Sequence, residues 1–374
     1  MLQRSHAGRI VNVMVATPAG GTGQGGIDRV MASLKRELDG RARGDIDVRF
    51  LATRGNGNLA HSFLYLSGFC FSMLMARIRK EVDVVHINLA SYGSTYRKLV
   101  IAICARMLGI PYILHLHGAE YMAFWSDEDT FLNRRIRSMF RQASGIIVLG
   151  KVWREFILRK VPEAEKRLVI VPNATEVPSL PREGGGDRVH ILFLGRVEKR
   201  KGVPELCEAL ASMADLPGWR ATIAGDGEVE KLRLRLTELG LSDRVAVPGW
   251  QGPEDVARLL SKADVLTLPS FAENLPISVI EGMAAGLAIV ATPVGAVEDI
   301  ISDGKTGLLV PPGDVGALKR ALERLIMEPD LRDRLGDAAR AAHRLRLDVA
   351  PYADTLRNIW KAAAQTRKIP VEDR

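Results

Sequence analysis

Apolar residues along the chain fall into short runs that alternate with segments of helical period. In the first half, the runs that we predict to be strands cover residues 9–16, 46–52, 82–87, 111–116, 145–149 and 168–171. The segments between them repeat apolar residues every three to four positions, most clearly over 27–38, 98–108 and 131–142. Strands and helices in alternation predict a mainly parallel sheet that is covered by helices on both faces.

The second half of the chain repeats this pattern. Its predicted strands cover residues 189–194, 220–224, 245–247, 264–268, 288–291 and 307–310, and its predicted helices 203–213, 228–239, 253–261, 277–285 and 315–326. A last helix is predicted over 351–364. The segment 179–187, SLPREGGGD, is the clearest Pro/Gly linker, so we place a domain boundary there. Because open α/β sheets bind ligands at the carboxyl ends of their strands, we expect a site in a cleft between two domains.

Length and composition agree with two intracellular α/β domains. A chain of 374 residues is too long for one typical core. Its three cysteines, Cys70, Cys104 and Cys207, are far apart and form no CxxC pair, so we expect neither a disulfide framework nor a zinc site. No secretory signal is evident, and the apolar segment 63–76 is too short to span a bilayer. We therefore expect a cytoplasmic protein.

Positive charge is concentrated in the first half of the chain. Residues 1–187 contain 26 Lys and Arg against 17 Asp and Glu, whereas the remaining residues contain 26 against 27. In segments 131–142 and 151–160, Arg and Lys alternate with Phe, Trp, Ile and Met. Such a surface suits anionic lipid headgroups or an anionic acceptor, although ordinary surface helices of a basic protein would look the same. No nucleic-acid-binding motif is present, and we expect no nucleic-acid partner.

The stretch 269–286, PSFAENLPISVIEGMAAG, contains the first candidate site residues. Glu273 and Glu281 are eight residues apart, which at helical rise corresponds to roughly 12 Å. That is wider than the separation of about 5–9.5 Å between paired carboxylates in glycosidases. We interpret the two acids as holding the ends of one elongated ligand, with a helix N-terminus facing its anionic centre. The alternative is one solvated Glu and one Glu on a helix surface.

Cations and a histidine follow other predicted strands. Arg196 and Lys201, in LGRVEKRKG, come after the first strand of the second half and could neutralise a diphosphate, although the segment could be merely a basic loop. His117 ends PYILHLHG, where a loop should enter the cleft. His115, two residues earlier, is expected to be a packed and hydrogen-bonded histidine, and this structural interpretation stays open for His117 as well.

A glycine-rich turn precedes the first predicted helix. Residues 21–26, GTGQGG, satisfy the GxGxxG pattern of dinucleotide-binding folds. The second strand, however, ends in Leu51-Ala52-Thr53-Arg54, without the acid that would hold a ribose. We therefore interpret the glycines as allowing a phosphate to approach the backbone, with a flexible turn as the alternative. The acidic triplets at 45–47 and 127–129 have no nearby His or third acid, and we predict no metal site.

Together these motifs resemble those of the retaining GT-B glycosyltransferases of family 4. FAENLPISVIE resembles the family's E-x7-E signature, and LGRVEKRKG resembles its Arg/Lys element. The HG of PYILHLHG is similar to the family's cleft histidine. Residues 25–27 are similar to its phosphate-facing glycine loop, and residues 225–227 are similar to a loop near the nucleotide. The resemblance covers nearly the whole chain. It implies two Rossmann-like domains facing across a cleft: an acceptor-binding domain over 1–182, a nucleotide-sugar-binding domain over 187–350, and a C-terminal helix, 351–374, that returns to the first domain. The glycine loop, with glycines at 20, 21, 23, 25 and 26, is longer than the family's.

The resemblance also implies roles for single residues. Arg196 and Lys201 would hold the donor diphosphate, helped by the backbone N–H groups of Asn274 and Leu275. Glu273 would bind the hexose, Glu281 the ribose, and His117 the sugar or the acceptor. The glycines that would contact the substrate are Gly25, Gly26 and Gly225. Transfer would retain the anomeric configuration and need no metal or other cofactor.

These implications favour a hexosyltransferase that uses GDP-mannose or a UDP-hexose, with GDP-mannose preferred on resemblance. The acceptor would be a polysaccharide precursor or a lipid-linked glycan, with peripheral contact between the protein and an anionic membrane. Within the same class, a glycogen- or sucrose-synthase-like activity is the nearest alternative. An NADP-linked oxidoreductase, with Arg54 meeting the 2′-phosphate, and a non-catalytic sugar-nucleotide-binding protein are alternatives from other classes.

Overall fold

The chain forms two compact units. The computed structural model describes residues 10–20, 23, 25–41, 44–55, 59–184 and 186–366. One unit extends to Pro172 and includes the last helix, which begins at Val349, and the other covers Asn173–Asp348. Among the described residues, each unit contains one sheet of six parallel strands. The predicted fold class, two Rossmann-like α/β domains, is therefore confirmed.

The first unit is a six-stranded sheet with the strand order β2-β1-β3-β4-β5-β6. Its strands are β1 (Val11–Thr17), β2 (Ile46–Ala52), β3 (Val84–Leu89), β4 (Tyr112–Leu116), β5 (Gly145–Val148) and β6 (Leu168–Ile170). Its helices up to this point of the chain are α1 (Gly26–Asp39), α2 (Leu59–Ile78), α3 (Gly93–Met107), α4 (Tyr121–Phe124), α5 (Phe131–Gln142) and α6 (Lys151–Lys160). The strand order reverses between β1 and β3, which is the switch point where open sheets bind ligands.

The second unit has the strand order β12-β11-β10-β7-β8-β9. Its strands are β7 (Val189–Leu194), β8 (Trp219–Ala224), β9 (Val245–Gly249), β10 (Val265–Leu268), β11 (Ala288–Ala291) and β12 (Leu308–Leu309). Its helices are α7 (Val203–Ala211), α8 (Val229–Glu238), α9 (Pro253–Lys262), α10 (Ile277–Ala285), α11 (Val315–Met327) and α12 (Pro329–Arg346). Here the switch point lies between β7 and β10.

The last helix, α13 (Val349–Thr366), packs on the first unit, as the resemblance implies. It contacts α1 as well as β1, β3 and β4. Trp360 is fully buried, and its indole N–H donates to Nδ1 of His86 across 2.9 Å. Arg357 pairs with Asp45 at 2.7 Å. The chain thus completes the first unit with residues that come after the whole of the second.

The central strands are buried along their entire length. All residues of β3, β4, β10 and β11 are inaccessible to solvent. Helices on both faces of a parallel sheet explain why these strands read as continuous apolar runs instead of an alternating pattern. None of the helices in the described part of the chain is long and apolar enough to cross a membrane.

The two basic segments form helices with a buried apolar side. In α5 the apolar residues Ile136 and Phe140 are buried, and in α6 Trp153 and Phe156 are buried. Their Arg and Lys residues therefore do not alternate with exposed aromatic rings. The exception is Phe131 at the start of α5, which is exposed and lies 4.8 Å below the Arg135 guanidinium.

Candidate active site

The candidate site of the second unit is built from loops that follow four neighbouring strands. Strands β11, β10, β7 and β8 are adjacent and parallel, so the loops after them emerge at the same edge of the sheet. The loops after β7 and β10 flank the switch point, and they contain all the predicted Arg, Lys and Glu residues except Glu281. This edge is where an open α/β sheet is expected to bind its ligand.

Lys201 and Glu273 are in direct contact at this edge. The ammonium Nζ of Lys201 lies 2.5 Å from Oε1 of Glu273, and the Ser270 hydroxyl donates to the same oxygen across 2.8 Å. Glu273 is buried, with 7% of its surface exposed. A buried carboxylate of this kind is tolerated only because it is paired and hydrogen-bonded. The pair places one cation and one hydrogen-bond acceptor side by side.

Arg200 ties the two loops together, which the sequence does not reveal. Its guanidinium donates to the carbonyl oxygen of Ala272 across 2.8 Å and to Glu198 across 2.7 Å. Its own carbonyl oxygen accepts from the backbone N–H of Phe271. In the run KRK, three adjacent cations look equivalent, and only the fold shows that Arg200 fixes the backbone beside Glu273.

Two glycines allow the close backbone approaches that this arrangement needs. Gly202 has φ of 71°, and a Cβ there would lie 2.0 Å from the carbonyl oxygen of Pro269. Gly295, after β11, has φ of 62°, and a Cβ there would lie 2.1 Å from the carbonyl oxygen of Glu273. Neither position accepts a larger residue without moving the loop after β10. The backbone at Glu273 is therefore confined from two sides.

The helix α10 begins directly after this loop. Asn274 and Leu275 precede it and are buried, and the Asn173 side chain donates to the Leu275 carbonyl oxygen across 2.9 Å. As predicted, α10 ends at Gly286, which adopts a left-handed conformation with φ of 75°. Every residue of α10 except Glu281 is buried. Glu281 is thus the most exposed residue of α10.

Arg196 stands apart from the Lys201–Glu273 pair. Its side chain is 61% exposed and lies 3.5 Å from Glu198, an exposed ion pair that contributes little to stability. The Arg196 loop instead packs on residues 225–227. A Cβ on Gly225 would lie 1.8 Å from the Gly195 carbonyl oxygen, and Val197 N donates to the Asp226 carbonyl oxygen across 2.6 Å.

In the first unit, His117 follows β4 and is held by Asn88. The Asn88 amide donates to the Ala16 carbonyl oxygen across 3.3 Å, so its Oδ1 accepts the N–H from Nε2 of His117 across 2.9 Å. Burial, and then the neighbouring His86, lower the pKa of His117 to about 3. The imidazole is therefore neutral at physiological pH, with a lone pair at Nδ1 that can accept a hydrogen bond.

A chain of buried rings lies behind His117. Because Trp360 donates to Nδ1 of His86, the other nitrogen of His86 donates to Nδ1 of His115 across 3.2 Å. The rings of His115 and His117 lie 4.0 Å apart. Burial lowers the pKa of His86 to about 4 and that of His115 well below its usual range. The prediction that His115 is packed and hydrogen-bonded is confirmed.

The glycine-rich turn is described only in part. Gly21, Thr22 and Gln24 lie outside the described residues. Gly25 is the N-cap of α1 and Gly26 its first residue. A Cβ on Gly25 would meet no described atom within 4 Å, so packing does not explain this glycine. The contact between Gly25 and a phosphate stays a prediction.

A buried polar cluster that sequence reasoning missed supports this turn. Asp28 is buried in the first turn of α1 and accepts from the Ala19 N–H across 3.1 Å. Lys98 is also buried; it donates to Oγ1 of Thr53, which donates to the Thr17 carbonyl oxygen across 2.8 Å. Burial and the adjacent Arg97 lower the pKa of Lys98 to about 7, although Asp28 opposes this. The only sequence signal was a Lys at an inward position of α3.

The described residues contain no group of three His, Cys, Asp or Glu side chains placed to hold a metal ion. In the described part of the chain, the positive charges of the candidate site are those of Lys201 and Arg196, and its negative charges are those of Glu273 and Glu281.

Two family models match the chain, one for each half. A model described as "Glycosyltransferase Family 4" matches residues 24–177, and one described as "Glycosyl transferases group 1" matches residues 183–342. The matched ranges contain His117 in the first case and Arg196, Lys201, Glu273 and Glu281 in the second.

Curated relatives show similarity over most of the chain. An alpha-D-kanosaminyltransferase of Streptomyces kanamyceticus is 29% identical over 314 residues, which are 76% of this chain and 79% of that protein. A 2-deoxystreptamine glucosyltransferase of the same organism is 25% identical over 75% of this chain and 77% of the relative. The lipopolysaccharide core biosynthesis glycosyltransferase LpsE of Rhizobium meliloti is 35% identical, over 39% of this chain and 42% of its own length.

Solved structures share the fold at low sequence identity. Sucrose-phosphate synthase from Thermosynechococcus elongatus aligns with a TM-score of 0.76 and 18% identity, over 95% of this chain and all of that one. Anabaena Alr3699/HepE, in complex with UDP-glucose, aligns with a TM-score of 0.72 and 20% identity, over 94% of this chain and 99% of the other. At this identity the likeness establishes the fold and not the substrate.

Proposed function

The chain belongs to glycosyltransferase family 4, whose members have the GT-B fold, and transfers a sugar from a nucleotide sugar; on this basis we propose a retaining, metal-independent hexosyltransferase. The observation that carries the proposal is the contact between Lys201 and Glu273 at the switch point of the second sheet. There, a cation for a diphosphate and an acceptor for sugar hydroxyls lie side by side. The family assignment sets aside the NADP-linked oxidoreductase considered for the sequence.

The cations of the site would act on the leaving diphosphate. As the glycosidic bond breaks, negative charge grows on the phosphate oxygen that leaves. Lys201 is already held in place by Glu273, and the exposed side chain of Arg196 can exchange its weak contact with Glu198 for a bound anion. The backbone N–H groups of Asn274 and Leu275, just before α10, would add fixed positive dipoles to that of the helix N-terminus. Preorganised cations and dipoles of this kind stabilise a developing charge in the transition state.

The carboxylates would hold the two ends of the donor. Glu273 would accept hydrogen bonds from hydroxyls of the hexose, beside the Lys201 ammonium that binds the phosphate. Glu281, the most exposed residue of α10, would accept from the ribose hydroxyls, and Gly225 would line the nucleotide. The Nδ1 lone pair of the neutral His117 would accept a hydrogen bond from a hydroxyl of the sugar or the acceptor. Gly25 and Gly26 would contact a phosphate or a group of the acceptor.

For the donor we propose a glucose-type UDP-hexose ahead of GDP-mannose, because curated relatives are named as a glucosyltransferase and an N-acetyl-D-glucosaminyltransferase. For the acceptor we propose a neutral or anionic glycan, such as a lipid-linked or polysaccharide precursor at the cytoplasmic face of a membrane. The basic first half of the chain supports this choice. Relatives named for 2-deoxystreptamine make an aminocyclitol the second candidate, but its positive charges would be repelled by the same half.

The test is a transfer assay with radiolabelled UDP-glucose, GDP-mannose and ADP-glucose. Acceptors would be a lipid extract, a polysaccharide fraction and 2-deoxystreptamine, with slow donor hydrolysis recorded where no acceptor works. Glu273→Ala and Lys201→Ala should each abolish sugar release, whereas Lys199→Ala, which changes an exposed neighbour, should retain it. Full activity in either of the first two variants would overturn the assigned roles. Nucleotide binding without any sugar release would instead indicate a non-catalytic sugar-nucleotide-binding protein.

A further inference from the structure

Two helices of the first unit carry an outward apolar stripe in addition to their buried one. In α2, Phe69 and Met73 are buried, whereas Leu64, Phe71 and Ile78, spaced seven residues apart, are each more than 60% exposed. In α3, the exposed residues Tyr96, Val100, Ile103 and Met107 recur at helical spacing. A helix that is apolar around its circumference is ordinarily buried on all sides. The exposed stripes therefore indicate a surface that something else covers.

The two stripes belong to one continuous face that also includes α5. Helix α3 contacts both α2 and α5, so it lies between them. Ile103 and Arg106 of α3 line a shallow groove with Arg135 of α5. Right-handed crossovers from β2 to β3, β3 to β4 and β4 to β5 place these three helices on the same side of the sheet. We call this the α2–α3–α5 face.

The α2–α3–α5 face contains no acidic residue in any of its three helices. The sequences of α2, α3 and α5 include Arg and Lys but neither Asp nor Glu. In α5, Arg134, Arg137 and Arg141 border an open depression. Arg134 pairs with Asp129 and Arg141 with Glu163, but these exposed ion pairs are weak and exchange readily with other anions.

This combination of chemistry selects among the possible partners. A second copy of the chain would bring two sets of helices that contain Arg but no acid against each other, and like charges across an interface are repulsive. An anionic bilayer satisfies both components: apolar side chains enter the headgroup boundary, and guanidinium groups bind lipid phosphates. Exposed Tyr65, Tyr92 and Tyr96 are of the type that concentrates at membrane interfaces.

We propose that the α2–α3–α5 face docks the first unit on an anionic membrane surface, with Leu64, Phe71 and Met107 entering the lipid and the arginines of α5 on the headgroups. The proposal rests on the proposed function, since a lipid-linked acceptor would lie in that membrane. In this proposal the apolar contact with lipid is made by α2 and α3. Helix α6, which contains the basic segment 151–160, does not make it, because Trp153 and Phe156 are buried.

Co-sedimentation of the full chain with vesicles tests the proposal. Vesicles of phosphatidylglycerol and phosphatidylcholine should bind the protein, and pure phosphatidylcholine vesicles should bind it far more weakly. The variant Leu64→Ser/Phe71→Ser should bind the anionic vesicles about a hundredfold more weakly, at roughly tenfold for each large side chain removed from lipid. Arg135→Ala and Arg137→Ala should each weaken binding by about fivefold. Leu234→Ser, at a similarly exposed position of α8 in the second unit, should bind normally.

Two further readouts separate the possible failures. Donor hydrolysis without lipid should be unchanged in Leu64→Ser/Phe71→Ser, so a loss of vesicle binding with normal hydrolysis supports the proposed surface. Wild-type protein that fails to bind anionic vesicles overturns the proposal and leaves the hydrolytic activity standing. A wild-type dimer in lipid-free light scattering that becomes a monomer in this variant also overturns it, because the face would then join two copies.

Discussion

Lys201 and Glu273 are 72 residues apart in the sequence, yet Nζ of the first lies 2.5 Å from Oε1 of the second. The contact is built by the fold: their loops follow β7 and β10, the two strands at the switch point, and Arg200 ties those loops together. Ser270 donates to the same carboxylate oxygen. A site assembled in this way needs little reorganisation when a ligand arrives, which is what electrostatic catalysis requires.

Replacing Glu273 by Gln preserves its size and removes its charge. We expect sugar transfer to fall by about 10²–10³-fold, because the amide holds the hexose less firmly and no longer positions the Lys201 ammonium. The measurement is kcat over a full donor titration. Glu254→Gln, at an exposed position of α9, is the control and should behave as wild type. A Glu273→Gln variant with wild-type kcat would show that the carboxylate is not needed.

Gly295→Ala and Gly304→Ala form a matched pair. The two glycines have φ values of 62° and 69°, so both substitutions incur the strain of a left-handed residue, about 1–2 kcal/mol. Only the Cβ at 295 would meet a backbone atom, the Glu273 carbonyl oxygen, whereas the Cβ at 304 would meet no described atom within 4 Å. We expect Gly295→Ala to lower the melting temperature further and to impair transfer. Equal activity in the two variants would mean that the close contact between Gly295 and the Glu273 carbonyl oxygen does not position Glu273.

Asn88 is predicted to position His117 through the hydrogen bond to Nε2. Asn88→Ala should lower kcat without moving the pH–rate profile, because the ring loses its anchor but stays neutral. Asn88→Asp places a negative charge beside the ring, which favours the imidazolium and raises the pKa of His117 above its value of about 3. The acidic limb of the pH–rate profile of Asn88→Asp should therefore move to higher pH. Identical profiles for wild type and Asn88→Asp would argue against a role for His117 in the reaction.

Buried neutral histidines predict a loss of stability in acid. His86 has a pKa of about 4 in the folded protein against 6.5 when unfolded, so the unfolded chain binds more protons between these values. The free energy of unfolding should therefore decrease as pH falls below 6.5, by about 2 kcal/mol at pH 5 from His86 alone. Urea denaturation at pH 7.5 and pH 5 measures this. His86→Gln should reduce the loss of unfolding free energy between pH 7.5 and pH 5, whereas His61→Gln, at an exposed position, should not. An equal loss in wild type and both variants would refute the role of His86.

Much of the fold follows from local patterns in the sequence. Strands such as β7 and β11 were predicted to the residue, since a fully buried strand is a short apolar run between turn signals. Helix α10 was also predicted correctly, because Pro276 and Gly286 mark its two ends. Helices α2 and α12 were not predicted. In α2 outward apolar residues hide the helical period, whereas α12 buries a narrow stripe of Leu331, Leu335 and Ala339 within a highly charged segment.

The candidate site was predictable as a set of residue types but not as a set of contacts. Motif and position along the chain pointed to Arg196, Lys201, Glu273 and His117. The contacts of Arg200, Ser270 and Asn88 form only after the strands pair and bring distant segments together. Contacts between single residues that are far apart in the sequence leave no periodic pattern from which they could be predicted. The same holds for Trp360, which reaches His86 from the far end of the chain.

Lys201 is proposed to hold the diphosphate of the donor, and calorimetric titration with UDP and GDP tests this role most directly. Wild-type protein should bind at least one of them, and Lys201→Ala should bind it about 10–100-fold more weakly, as expected for the loss of a charge-assisted hydrogen bond. Lys199→Ala, two residues away, should bind like wild type. If Lys201→Ala binds the nucleotide as tightly as wild type does, the diphosphate lies elsewhere and Lys201 does not have the proposed role.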